Sequence, residues 1–391
     1  MLKRLLSVVT ACLIAGLVSV PGVATAADTV KIGLILPMTG PFTSTGRQVE
    51  AGVRLYMQQH GDTVAGKKIE LIVKDDAAVA DTTRRIAQEL VVNEKVHILA
   101  GFGLTPLALA TAPIATKAKV PMIVTSAATS IITEKSPFIV RTSFTLPQVT
   151  VPVAEWAAQN GIKKVVTLVT DYAPGIDAET TFKKTFTAAG GEILAELRVP
   201  LKNPDFAPFL QRVADAKPDA VFVFVPSGVG SIFMKQFIER GLAKSGIRLI
   251  ATGDVTDDDI LNSMGDVALG VVTSHHYSAA HPSAKNKEFV AAFKKASGMR
   301  PNFFGVGGYD AMHLIYEALK KTNGSTDGEA LVNAMKGMAW ESPRGPMSID
   351  PETRDVVQNV YMRKVERVDG ELYNVEFHTF PAVKDPGKSG S

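Results

Sequence analysis

The chain has 391 residues, with Lys+Arg 42 against Asp+Glu 39, 46% hydrophobic residues and a single cysteine. A formal charge of +3 provides no electrostatic footprint for nucleic acid or for a polybasic membrane contact, and one cysteine excludes a disulfide framework. The length favours two domains over one, each able to bury its own core.

In chain order, Lys3 and Arg4 precede an apolar run over 5–20 and then Ala24-Thr25-Ala26. This order of charge, apolar stretch and small residues predicts a secretory signal over 1–26 and a periplasmic protein beginning at Ala27 or Asp28. The run is too short for a spanning helix and ends at Pro21-Gly22. Val9-Thr10-Ala11-Cys12 superficially resembles a lipoprotein box, but the apolar core continues past Cys12.

Short runs rich in Val, Ile and Leu then alternate with amphipathic segments: 30–36 with 47–60, 69–73 with 82–93, and 96–100 with 106–117. This rhythm predicts parallel strands covered by helices. After a break near 143–147 it resumes, with strands at 165–170, 220–225 and 249–252 and helices at 151–160, 177–189, 206–216 and 231–242. The fold class is therefore α/β, with two doubly wound parallel-sheet lobes.

Strand-to-helix transitions occur at Thr105-Pro106 and at 125–129, 171–175 and 226–230. Ligands of such sheets bind beyond the carboxyl ends of the strands, where helix starts favour an anion. Nothing marks an enzyme. The first strand-helix turn, Pro37-Met38-Thr39-Gly40-Pro41, is not G-x-G-x-x-G, and no G-x-S-x-G elbow surrounds Ser227. No cofactor is expected, and no metal: His275, His276 and His281 lack the spacing of a helical zinc pair. Asp257-Asp258-Asp259 reads as the acidic first turn of a helix.

The string 32–42 (IGLILPMTGPF), together with 73–77 (VKDDA), 121–129 (PMIVTSAAT) and Tyr309-Asp310-Ala311, resembles the branched-chain amino-acid-binding proteins of ABC importers, the type I periplasmic binding proteins. The likeness runs from about 30 to 377. It implies a three-crossover hinge, with lobe one at 28–141 plus 275–344 and lobe two at 142–274 plus 345–380. Residues 381–391 are read as a disordered tail. The implied mechanism is hinge closure of a monomer on a small solute, followed by docking on a membrane permease. A sensor subunit presenting the same closed form to a receptor is the alternative role.

The resemblance places a ligand carboxylate at Thr105, Ala127 and Thr129, although both threonine hydroxyls also suit plain helix caps. Tyr172 matches a tyrosine that packs over the ligand, and Asp254 an acid that meets an ammonium group. The chain departs from the amino-acid pattern at Pro226-Ser227 and at Asn302, where tyrosines are usual. Phe42, Phe102 and Phe144 supply rings, and Ser227 and His276 supply polar groups. These departures predict an aromatic carboxylate rather than leucine, with a branched-chain amino acid as the second reading.

Overall fold

The computed structural model describes residues 29–388. The expected signal, Cys12 and the expected mature terminus lie outside the described residues. A six-stranded sheet runs in the order β2-β3-β1-β4-β5-β6, built from β1 (Thr29–Leu36), β2 (Thr63–Val64), β3 (Lys67–Asp75), β4 (Ile98–Gly101), β5 (Met122–Val124) and β6 (Ile139–Arg141). β1 pairs in parallel with β3 on one side and β4 on the other, so the winding reverses between β1 and β4. The short strand β2 adds an antiparallel edge.

A second sheet contains β7 (Lys164–Thr170), β8 (Glu192–Val199), β9 (Ala220–Phe224), β10 (Arg248–Thr252) and β11 (Val272–His275) in the parallel order β8-β7-β9-β10-β11. Its winding reverses between β7 and β9. Antiparallel strands β12 (Ala339–Ser342), β13 (Gly345–Ile349), β14 (Val356–Val368) and β15 (Glu371–Val383) extend it beyond β11. The central strands are largely apolar because helices cover both faces; β9, Ala-Val-Phe-Val-Phe, is wholly buried.

Helices α1 (Thr43–His60), α2 (Ala80–Val92) and α3 (Thr105–Ala118) clothe the first sheet. Helices α4 (Leu146–Gln159), α5 (Ala173–Ala188), α6 (Ala207–Ala216) and α7 (Gly230–Glu239) clothe the second, followed by the short α8 (Leu261–Met264). After β11 the chain returns to the first lobe as α9 (Ala284–Ser297), α10 (Phe303–Lys321) and α11 (Gly328–Met335); α9 and α10 pack on α1. α1 and α10 cross closely at glycines: a Cβ on Gly52 would lie 2.0 Å from the Gly305 carbonyl oxygen, which no side chain permits.

Three expectations need correction. β12, assigned by the sequence boundary to lobe one, forms a hairpin with β13 on the second sheet, where its backbone groups find partners. Residues 381–388 are not a loose tail: β15 continues to Val383, and Asp385 and Lys388 are buried. The acidic run 257–259 is not a solvated helix turn either. Only Leu261–Met264 is helical, and Asp257 and Asp258 are each 2% exposed.

Candidate functional site

The two winding reversals face one another. Between them lies a small, tightly closed cavity. One wall carries Phe42 and Thr45 beyond β1, Gly103 to Thr105 beyond β4, and Ser126 to Ala128 beyond β5. The opposite wall carries Tyr172 and Pro174 beyond β7, Phe224 at the end of β9 with Pro226 and Ser227 beyond it, and Asp254 beyond β10. Phe144, Leu146 and Phe304 complete it. Every strand-end segment that was read as ligand-facing contributes.

On the first wall α3 begins at Thr105, with Leu104 in the cap position and no side-chain cap. The Thr105 hydroxyl instead lies 2.9 Å from the Thr129 hydroxyl, and Thr129 makes no cap bond to the 3-10 turn it precedes. Neither threonine therefore acts as the plain side-chain cap the sequence left open. The Ala127 N–H donates to the Phe102 carbonyl at 3.1 Å, so the Ala127 backbone contributes shape rather than a free donor. The start of α3 directs its dipole into this wall, which favours an anion.

On the second wall Asp254, 4% exposed, accepts a hydrogen bond from the Thr252 hydroxyl at 3.0 Å. It is the one carboxylate among the described lining residues. The Ser227 hydroxyl is buried on this wall and faces the Asp257 carboxylate. Tyr172 lies parallel to Phe224 with ring centres 6.1 Å apart. Burial, and secondarily the Asp254 charge, keep its phenol protonated, well above the usual range.

Of the nine residues singled out from sequence, Phe42, Thr105, Ala127, Tyr172, Ser227 and Asp254 line this cavity. Thr129 stands one hydrogen bond behind it. Phe102 does not reach it: with φ 71° the residue turns its ring into the core among Ile35, Leu99 and Val124. His276 is also set back, fully buried with its ring 5.0 Å from that of Phe144. Thr45, Ser126, Phe224 and Phe304 were missed. Ser126 lies within the 125–129 segment already read as ligand-facing, whereas Phe224 is the last residue of β9 and falls inside the expected strand.

The lobes are closed over the cavity. A Cβ on Gly228, in the left-handed region at φ +101°, would meet the Pro41 carbonyl of the other lobe at 2.5 Å. The Ser44 hydroxyl donates to the Asp259 carboxylate across the cleft. Asn302 caps α10 by accepting from the N–H groups of Phe304 and Gly305 at 2.9 and 3.1 Å. Its amide meanwhile donates across to Asp257 and Asp259 at 3.0 and 3.2 Å. Asn302 thus closes the lobes rather than lining the cavity.

Behind Phe144 sit two buried histidines. Burial, partly offset by Asp254 at 3.7 Å, pushes His275 down to about 4, and burial drives His276 well below its ordinary value. Both are neutral in the folded state. Their stabilisation is complete above the unfolded value near 6.5 and is lost as pH falls towards 4, because the unfolded chain takes up protons that the folded one refuses. Buried Asp257 and Asp259, raised by burial, act with opposite sign. The difference in urea unfolding free energy between wild type and His275→Asn isolates the histidine. Between pH 7.5 and 5 the wild type is expected to lose on the order of 2 kcal/mol relative to the variant. A pH-independent difference would contradict this.

A family model described as periplasmic binding protein matches residues 29–371. The chain belongs to that family. A Leu/Ile/Val-binding protein homolog of Brucella melitensis is 46% identical, over 92% of this chain and 94% of its own. A solute-binding protein of an ABC transporter from Rhodopseudomonas palustris, solved with 3,4-dihydroxybenzoic acid, is 69% identical with a TM-score of 0.91, covering 93% of this chain and 100% of its own. Another R. palustris solute-binding protein, solved with 4-hydroxybenzoate, is 44% identical with a TM-score of 0.90, covering 92% and 99%. This periplasmic binding protein is a solute-binding protein of an ABC transporter, with the type I fold. Among the described residues no helix is long and apolar enough to cross a membrane, and no group of three or more His, Cys, Asp or Glu is placed to hold a metal.

Proposed function

We propose that this protein captures an aromatic carboxylate in the periplasm, a hydroxylated benzoate by preference, closes its lobes on it as a monomer and delivers it to an ABC permease. Its role is binding, not catalysis. One observation carries the reading: a cavity walled by Phe42, Phe144, Tyr172, Phe224 and Phe304 has one acid, Asp254, and the Ser227 hydroxyl on the wall opposite the α3 helix start. The helix start suits a carboxylate, the rings suit an aromatic body, and the far wall suits a ring hydroxyl. The hydroxybenzoates bound by the two R. palustris proteins support the same class.

The name of the Brucella relative favours a branched-chain amino acid as the second reading. An ammonium group would rest on Asp254 with few further acceptors around it, and burying a cation with incomplete compensation is costly. Calorimetry on ligand-free protein separates the two. Hydroxybenzoates are expected to bind at about micromolar or tighter and leucine at least about 100-fold more weakly. The reverse order would overturn the proposal.

A further inference from the structure

The segment after β15 crosses from the second lobe to the first. Lys388, 7% exposed, donates to the Ser130 carbonyl, to the Thr133 hydroxyl at 3.0 Å and to Glu134 at 3.1 Å, all on the 3-10 turn Ser130–Lys135 of lobe one. It also lies 3.4 Å from Asp355, which precedes β14 in lobe two. The Ser130 hydroxyl donates to Asp385 at 3.0 Å, and the Ser130 N–H donates to Asp177 of α5 at 3.1 Å. Gly387 passes so close that a Cβ there would lie 2.3 Å from the Ser130 hydroxyl oxygen. One residue of lobe one is therefore held by lobe two at its N–H, its carbonyl and its side chain.

This grip reaches the cavity. Ser130 follows Thr129, whose hydroxyl holds that of Thr105 on the cavity wall. From the other side Asp355 pairs with the fully buried Arg141 at 2.8 Å. Arg141 donates to the Thr129 carbonyl at 2.7 Å and to that of Phe144 at 2.9 Å. Lys388, Asp355 and Arg141 form a continuous chain of charges ending on Thr129, which backs the anion-facing wall through Thr105, and on Phe144, which lines the cavity.

We infer that residues 384–388 are a closing strap, with Lys388 its positioning residue, holding the 3-10 turn and the adjoining cavity wall in the ligand-bound arrangement. The inference rests on this cavity being the solute site. A tail that was only a structural patch would add to folding stability equally in open and closed forms. A strap that joins the two lobes adds to the closed form alone, and so to affinity.

The test compares the wild type, a chain ending at Val383, Lys388→Met and Lys388→Arg, using 3,4-dihydroxybenzoate as probe. Calorimetry is expected to show affinity about tenfold weaker for the truncated chain and for Lys388→Met, with the ligand-free melting temperature little changed and with Lys388→Arg restoring most of the loss. Unchanged affinity overturns the strap, whether or not the melting temperature falls. Should the probe fail to bind wild type, the proposed ligand class fails instead, and the same comparison with leucine, the second reading, decides the strap: affinity about tenfold weaker after truncation supports it, and unchanged affinity overturns it.

Discussion

Asp254→Asn is expected to weaken 3,4-dihydroxybenzoate by about 1.5–3 kcal/mol while leaving unsubstituted benzoate within about 0.5 kcal/mol. The substitution keeps the shape of the side chain and one oxygen able to accept from Thr252. It removes the negative charge that makes a ring hydroxyl's hydrogen bond charge-assisted, which is the stronger kind. The new amide group also presents donors to a hydroxyl that needs an acceptor. Benzoate has no group to lose, so its affinity reports only the general state of the cavity. Calorimetry of both acids on one preparation checks this, and an equal loss for both would remove Asp254 from ring recognition. If the cavity instead served an amino acid, leucine binding would depend on Asp254 and benzoate would not bind.

Much of this arrangement is legible in the sequence. Short apolar runs alternating with amphipathic ones dictated parallel strands with helical cover; the carboxyl-end rule pointed to the segments that hold Thr105, Ala127, Tyr172 and Ser227, and the family resemblance to Asp254, all of which line the cavity. What escaped is what depends on direction and on distant partners. Phe102 directly follows β4, yet a left-handed φ sends its ring into the core. His276 lies beside the strand end of β11, but Phe144 stands between it and the cavity. Asn302 replaces a tyrosine in the family pattern, and only the structure shows that its amide spans the cleft while its oxygen caps α10. The tail looked disordered because its composition is polar. Composition carries no signal that Asp385 and Lys388 would meet Ser130 some 255 and 258 positions away.

The largest loss of stability is expected from Arg344→Met, at the hinge. Arg344 is 1% exposed and pairs with the equally buried Asp310 at 2.8 Å. Its two terminal nitrogens also donate to the Thr142 carbonyl at 2.6 Å, the Ser143 carbonyl at 3.2 Å and Gln358 at 3.0 Å. One side chain thus fastens the crossover after β6 to the one before β13, with its counter-ion drawn from α10. Methionine fills similar volume and supplies no donor, leaving the Asp310 carboxylate buried with only Trp340 and Ser342 as partners. Removing one member of a buried pair costs about 3–5 kcal/mol, chiefly the cost of the charge left behind. The double variant Arg344→Met with Asp310→Leu removes that charge, so urea unfolding should show it recovering part of the loss despite carrying two substitutions. A single variant less than about 1 kcal/mol weaker than wild type would mean the hinge is held elsewhere. Because this guanidinium, carried by one crossover, grips two carbonyls of another, its loss should also loosen the path along which the lobes turn. Ligand affinity is then expected to fall in the single variant even at temperatures where it remains folded, since closure needs both lobes held in register before either can contribute its wall.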